Sequence, residues 1–441
     1  MNILNLPQLN VLEVKENELG DYRIMVETNS PPSLCPQCGF SNIYKHGTKK
    51  QLFMDLAMHG KRVGIVVERQ RYICRECSST FFEPLSDMDE KRLATKRLIS
   101  WIEEQSLKRT FVSIADEVGV DEKTIRNIFR DYVNYLAEVV RFETPTYLGI
   151  DEIHLLKKPR CVLTNIEENT IIDMLHNRNK DTVIKRLSSL PNKEKVRVVA
   201  MDMWKPYKDA VKATLPQAVI VVDKFHVVRM ANDAMEKARK SLRAGLERKQ
   251  KRQLMRDRYV LLKRKKDLEP QDLILLDVWT LNFPTLKKCY DLKEAFFEIW
   301  DNDNIHDAYK AYDVWRAGIT DDIRPHFQPL LTAVSNWEEE IFAYFLHPVT
   351  NAYTESLNSI IRVVNRLGRG YSLEALRAKI LYTEGFHKTK RTSYRNTKVI
   401  GRLASQPLPD FSSLLRETND PNFNLGVDIS TLVSAIEEGL V

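Results

Sequence analysis

Two stretches decide the fold: Tyr147-Leu148-Gly149-Ile150-Asp151 and Val196-Arg197-Val198-Val199-Ala200-Met201-Asp202. Each is a short apolar run that stops on an aspartate. Such a run, rich in Val, Ile and Leu and bounded by polar residues, reads as a buried strand. A carboxylate at the end of a strand stands where a sheet opens to solvent, and two on neighbouring strands can share a divalent metal. Magnesium takes oxygen ligands, usually one or two protein carboxylates, with room left for substrate phosphates. Phosphodiester chemistry is the leading expectation from these two stretches.

Outward from them the pattern is mixed α/β. Cys161 to Ile166 and Thr170 to Leu175 flank Glu167-Glu168-Asn169, a hairpin signature. Asp181 to Leu190 reads as an amphipathic helix capped by Asp181, and a second helix runs through Tyr207 to Leu215. Ala218-Val219-Ile220-Val221-Val222-Asp223 is a further strand ending on a carboxylate. Three antiparallel strands, helix, strand, helix, strand is the order of a ribonuclease H-like fold. Glu152 is a local rival for metal, but strand alternation turns it from the face of Asp151. Val227 to Leu346 reads as helical, with Trp279, Trp300, Trp315 and Trp337 expected in its core. Beyond it, Glu355, Asn358 and Arg362 share one helix face at i, i+3 and i+7, while Leu357, Ile360, Ile361 and Val364 supply the packing face.

Toward the N-terminus, four of the six cysteines form two pairs, Cys35-Pro36-Gln37-Cys38 and Cys74-Arg75-Glu76-Cys77. Two such turns complete a tetrahedral zinc site, and the alternation between them predicts a hairpin joining two knuckles, a zinc ribbon. His46 and His59 are expected at the surface, and Cys161 and Cys289 as small buried apolar residues. A helical stretch follows, from about Lys91 to Val140. Within it, Phe111 to Val118, the Gly119-Val120 turn and an Asp121-capped second helix fit a helix-turn-helix. Lys123, Thr124, Arg126 and Asn127 would then face a DNA major groove.

The 441 residues are enough for several domains, and the net charge is +7. Between Lys237 and Lys266 there are 14 Lys or Arg against two acids, a local excess of +12. That segment, with Lys249, Lys251, Arg252, Lys263 and Arg264, is expected to hold DNA phosphates. Arg362, Arg366, Arg369 and Arg377 would extend the track beside Glu355. No basic head and apolar run opens the chain and no stretch approaches the ~20 apolar residues that cross a bilayer, so a cytoplasmic protein without a membrane partner is expected.

Taken together, the two cysteine pairs, Gly149-Ile150-Asp151-Glu152, Met201-Asp202-Met203-Trp204 with Tyr207, Asp223-Lys224-Phe225-His226-Val227 and Thr354-Glu355-Ser356-Leu357-Asn358 resemble bacterial insertion-sequence transposases with an acidic triad, most closely the ISL-three family. The resemblance covers nearly the whole chain, in order. It implies that Asp151, Asp202 and Glu355 are the triad, holding two Mg²⁺ or Mn²⁺ ions, beside a structural Zn²⁺ on Cys35, Cys38, Cys74 and Cys77. The 153 residues from Asp202 to Glu355 are similar to the helical insertion of several such families. Asp223 and His226 correspond to an Asp-x-x-His whose role is structural or DNA-handling; with Asn358 and Arg362 they are secondary site candidates. The implied partners are transposon-end and target DNA and a second copy of the chain, in a dimer or larger assembly.

The expected architecture is multidomain, mixing α+β and α/β: a zinc ribbon (1–88), a helix-turn-helix (89–143), a ribonuclease H-like core (144–228 and 348–400) interrupted by an all-helical insertion (229–347), and a C-terminal tail (401–441). Two other readings fit parts of this pattern. A non-catalytic DNA-binding regulator leaves three ordered carboxylates unexplained, and a structure-selective nuclease leaves the N-terminal DNA-reading modules unexplained.

Overall fold

The computed structural model describes residues 4–29 and 31–386; the expected C-terminal tail and the end of the expected core lie outside them. The N-terminal sheet comprises β1 (Leu9–Glu16), β2 (Tyr22–Thr28), β3 (Ile43–Met58), β4 (Lys61–Cys74), β5 (Thr80–Phe82), β6 (Met88–Asp89) and β7 (Ala94–Thr95). The long β3–β4 hairpin turns on His59 and Gly60, both at positive φ. Its outer end carries the cysteines, as the alternation predicts. Sequence reading assigned no strand before Cys35, yet β2 pairs in parallel with β4 and enlarges the ribbon into a seven-stranded sheet.

Three helices follow: α1 (Lys96–Lys108), α2 (Phe111–Val118) and α3 (Glu122–Val139). Thr95, Thr110 and Asp121 cap them through side-chain oxygens, and Gly119 takes the left-handed conformation that ends α2. The α2–α3 pair is the expected helix-turn-helix.

The second sheet is built from β8 (Tyr147–Leu155), β9 (Lys158–Asn165), β10 (Thr170–Met174), β11 (Val198–Met201) and β12 (Val219–Val222), with α4 (Lys180–Ser188) and α5 (Lys205–Thr214) in the crossovers. Its order is β10-β9-β8-β11-β12, the first three antiparallel and the last two joining β8 in parallel. This is the ribonuclease H-like arrangement. Two details differ from expectation. β8 does not end at Asp151 but runs on to Leu155, because β9 continues to pair with it after β11 has stopped. The cap of α4 is Asn179, with Asp181 inside the first turn.

The chain then becomes helical: α6 (Lys224–Ala244), α7 (Arg248–Arg256), α8 (Arg258–Leu262), α9 (Pro270–Asn282), α10 (Pro284–Ile299), α11 (Ile305–Ala317) and α12 (Arg324–Phe342). It returns to the sheet with α13 (Ala352–Gly368) and α14 (Leu373–Ile380). Strand alternation divides the sheet between two cores. Leu148, Ile150, Val199 and Met201 pack with the insertion, joined to Trp279, Trp315, Phe327 and Trp337. Ile153, Leu155 and Val162 pack with α13, α14 and all three helices α1–α3. The helix-turn-helix shares a hydrophobic core with one face of the sheet.

Candidate active site

Register brings the carboxylates together. Ile150 on β8 pairs with Met201 on β11, which pairs with Val222 on β12, so the next residues, Asp151 within β8 and Asp202 and Asp223 just past the ends of β11 and β12, stand side by side at one edge. Neighbouring strands are about 4.8 Å apart, a spacing at which adjacent carboxylates interact strongly. Glu355, in the first turn of α13, comes from the far side of the insertion to meet them.

Asp151 is 6% exposed, and burial followed by repulsion from Asp202 pushes its carboxyl up to about 7. Burial and then Asp223 raise Glu355 as well. His226 Nδ1 lies 2.9 Å from Asp202 Oδ1, and that contact raises the imidazole above its ordinary value against the effect of burial. Ligand-capable atoms of Asp223, His226 and Glu355 all fall within 4.8 Å of one another. The centre gathers four carboxylates around one histidine. Such a donor set, rich in hard oxygens and short of positive charge, fits a divalent cation.

The positions of these groups are fixed by buried hydrogen bonds. Asn358 Nδ2 donates to Asp151 Oδ2 at 2.6 Å. Asp223 accepts from Phe225 N (3.0 Å) with one oxygen, capping α6, and from Asn351 N (3.2 Å) with the other. Asn351, fully buried, donates from Nδ2 to the Ile150 carbonyl and accepts from Thr354 Oγ1, which also meets Thr164 Oγ1 at 2.7 Å. This network lies against Gly149. A Cβ there would stand 2.7 Å from Thr354 Oγ1 and 2.8 Å from Asn351 Oδ1, closer still to Thr164 Oγ1. Sequence reading missed Asn351, Thr354 and Thr164 as supports. The visible signal was the recurrence of Asn351, Thr354 and Asn358 on one side of the helix that carries Glu355.

The remaining candidates divide. Glu152 pairs with Arg178, whose guanidinium lies 4.4 Å from the Trp204 ring centroid, and both line one pocket with Asp202 and His226. Arg362 is exposed on α13 beyond Glu355. Lys123, Arg126 and Asn127 line one groove on α3, and Arg126 pairs with Glu122. Thr124, half-buried, gives its backbone N–H to Asp121. Lys249 and Arg252 are exposed on α7, with Lys251 half-buried. Arg264 pairs through two nitrogens with Asp301, and Lys263 faces Asp272. Acids distant in sequence therefore neutralise part of the +12 segment. Arg377 leaves the expected track for Asp173. The four tryptophans pack inside: three are buried, and Trp300 stacks on Phe345.

At the ribbon tip, Cys35 and Cys77 sulfurs are 3.7 Å apart and those of Cys38 and Cys74 3.6 Å. A tetrahedron of 2.3 Å Zn–S bonds has edges of about 3.8 Å, so the four thiols fit structural zinc. The Ser79 hydroxyl is the main reason that Cys35, lowered to about 6, and Cys77 sit below the ordinary thiol range. His46 and His59 are exposed and outside the cluster.

Residues 148–380, more than half of the chain, match a family profile described as transposase. The chain belongs to the transposase family ISL3. Residues 31–77 match the zinc-finger of transposase IS204/IS1001/IS1096/IS1165, and residues 83–133 the helix-turn-helix domain of transposase family ISL3. Among relatives, the transposase for insertion sequence element IS1001 of Bordetella parapertussis is 22% identical over 355 residues, 79% of this chain and 87% of that protein. The transposase for insertion sequence element IS1557 of Mycobacterium tuberculosis is 24% identical over 291 residues, 59% of this chain and 65% of that protein. Membership makes this ISL3 protein a DNA-binding one with a structural zinc ribbon. No described helix is long and apolar enough to cross a membrane.

Proposed function

We propose that the chain cuts the terminal repeats of its insertion sequence and joins the freed ends to target DNA, using Asp151, Asp202 and Glu355 as cation ligands. The observation that carries this reading is the register that sets Asp151 beside Asp202, with Glu355 brought in by α13. Two Mg²⁺ or Mn²⁺ ions bound there would supply activation of a water or 3′-hydroxyl and stabilisation of the leaving oxygen in an in-line displacement at phosphorus. The protein's own residues prepare the site. Asn358 holds the Asp151 carboxylate in one orientation. Asp223 and Asn351 anchor the start of α13, and among the described residues no salt bridge to Glu355 competes with a cation. Asp202 holds His226 close beside it, 2.9 Å from Oδ1 to Nδ1. Hydrolysis exposes a 3′ end, and strand transfer would use that hydroxyl as the nucleophile on a target phosphate.

The test is nicking of duplex DNA carrying the element's terminal repeats, with Mg²⁺ or Mn²⁺. Wild type should nick at the repeat boundary and Asp202→Ala should bind the same DNA without nicking. Equal nicking by both proteins would remove the triad reading.

A further inference from the structure

The helix that carries Glu355 does not end in solvent. Along α13, Arg362 and Arg366 follow Glu355 at i+7 and i+11, and Arg369 stands just past the helix at i+14. At 100° per residue Arg362 and Arg366 lie within about 20° of the Glu355 direction and form one stripe, which Arg369, left-handed at the helix end, continues. All three arginines are exposed. The stripe runs about 20 Å, at 1.5 Å per residue. Its far end opens into a groove of about 620 Å³ whose opposite wall is the helix-turn-helix: Phe111 and Val112 of α2 with Glu122 and Arg126 of α3. A second groove of about 510 Å³ continues along α3 past Lys123, Asn127 and Arg130.

The joint between the two modules is rigid. Lys379 of α14 is 2% exposed, and its ammonium lies 4.6 Å from the Phe111 ring, 4.9 Å from Tyr371 and 5.3 Å from Phe129. It donates to the Arg109 carbonyl at 2.9 Å and to that of Ser106, at the C-terminal end of α1. Tyr371 also meets Phe111 edge-on, 5.4 Å between centroids. A domain tethered by a loop could read DNA for another copy's acids. A recognition helix fused to the catalytic core by a caged lysine and a shared hydrophobic core cannot swing away from its own.

We infer that each chain cleaves in cis: duplex DNA read by its α3 runs along the Arg369–Arg366–Arg362 stripe to its own carboxylate centre. This rests on the cleavage reading above. Phosphates recur every 3.4 Å along a strand, so the 20 Å stripe spans about six base pairs between the edge of the recognition contacts and the scissile phosphate.

Complementation tests it. Asp151→Asn chains carrying one tag are co-expressed with Lys123→Glu/Arg130→Glu chains carrying another, and assemblies bearing both tags are tested on terminal-repeat duplex with Mn²⁺. Both positions of the second variant are exposed, so it should fold. Wild type run alongside tests the cleavage reading itself, and its silence would count against that reading alone. With wild type active, the inference expects no cleavage by the mixed assembly above that of either variant alone. Restored cleavage would overturn it, since one chain would be reading for the other's acids. Both tags are captured in sequence from the DNA-bound complex, so that subunits joining only on DNA are scored as mixed assemblies. A second measurement concerns the stripe. Arg366→Ala/Arg369→Ala should flatten the dependence of log affinity on log salt by about two. An unchanged slope, or dissociation of an oligomer with DNA affinity intact, would show that the stripe is not a DNA track.

Discussion

At the scale of single residues, the site is a set of carboxylates held by neutral groups, and its weak points are where those groups have no slack. Gly149 is one. Gly149→Ala forces a methyl into Thr164, Thr354 and Asn351, which are themselves pinned to strand and helix. Overpacking of this kind costs about 1–3 kcal/mol, and here it displaces the start of α13. The variant should lose cleavage by far more than it loses stability, which paired nicking assays and urea melts would separate. Asp151 gives a pH signature. Its carboxyl is raised to about 7 from an ordinary value near 4, so the folded state binds a proton that the unfolded state releases in between. Stability in magnesium-free buffer should therefore be greatest at the acidic end of this window and decline as the pH rises toward 7. Asp151→Asn should remove that decline and raise the melting temperature by a few degrees at neutral pH, equivalent to about 1–3 kcal/mol. Melts that show no difference in slope between the two proteins would contradict the electrostatic account.

At the scale of elements, two pieces carry loads that stability measurements can detect. Lys379→Ala would empty the cage and leave the Ser106 and Arg109 carbonyls without their buried donor. The expected cost is about 2–4 kcal/mol, combining lost packing with unsatisfied acceptors. Hydrogen exchange should quicken in α1 and α2 more than in the β8–β12 sheet. Cys38→Ser should release the zinc and fray the outer ends of β3 and β4, read as metal content and as exchange of their amides, at a cost of about 4 kcal/mol or more. The strands, the helix-turn-helix and the knuckles were legible in the sequence because each writes its period or spacing locally: Val198 to Met201, the Gly119 turn, and the two cysteine pairs. β1 and β2 were not, because Leu9–Glu16 alternates only weakly and acquires its place by pairing rather than by propensity. The end of β8 was misplaced for a related reason. The apolar run stops at Asp151, but its partner β9 does not.

For the whole molecule, one sheet serves as a partition, with the helical insertion packed on one face and the DNA-reading helices on the other. Both supports converge on the edge where Asp151, Asp202 and Asp223 stand in register. The proposed triad was nameable from the sequence, as acids at strand ends and a Glu on an amphipathic helix. Its scaffold was not. Asp223 turned out to be a clamp between α6 and α13, and the charge excess of residues 237–266 was partly neutralised by Asp272 and Asp301, which local counting could not see. The central claim, that Asp151, Asp202 and Glu355 together bind divalent cations, can be tested without any knowledge of the DNA ends. Zinc-loaded wild type would be titrated with Mn²⁺ and followed by the electron paramagnetic resonance of free manganese, alongside Asp151→Asn, Asp202→Asn and Glu355→Gln. The account predicts saturable Mn²⁺ uptake by wild type that is weakened in each single variant. Uptake unchanged in all three variants, or none in wild type, would contradict it.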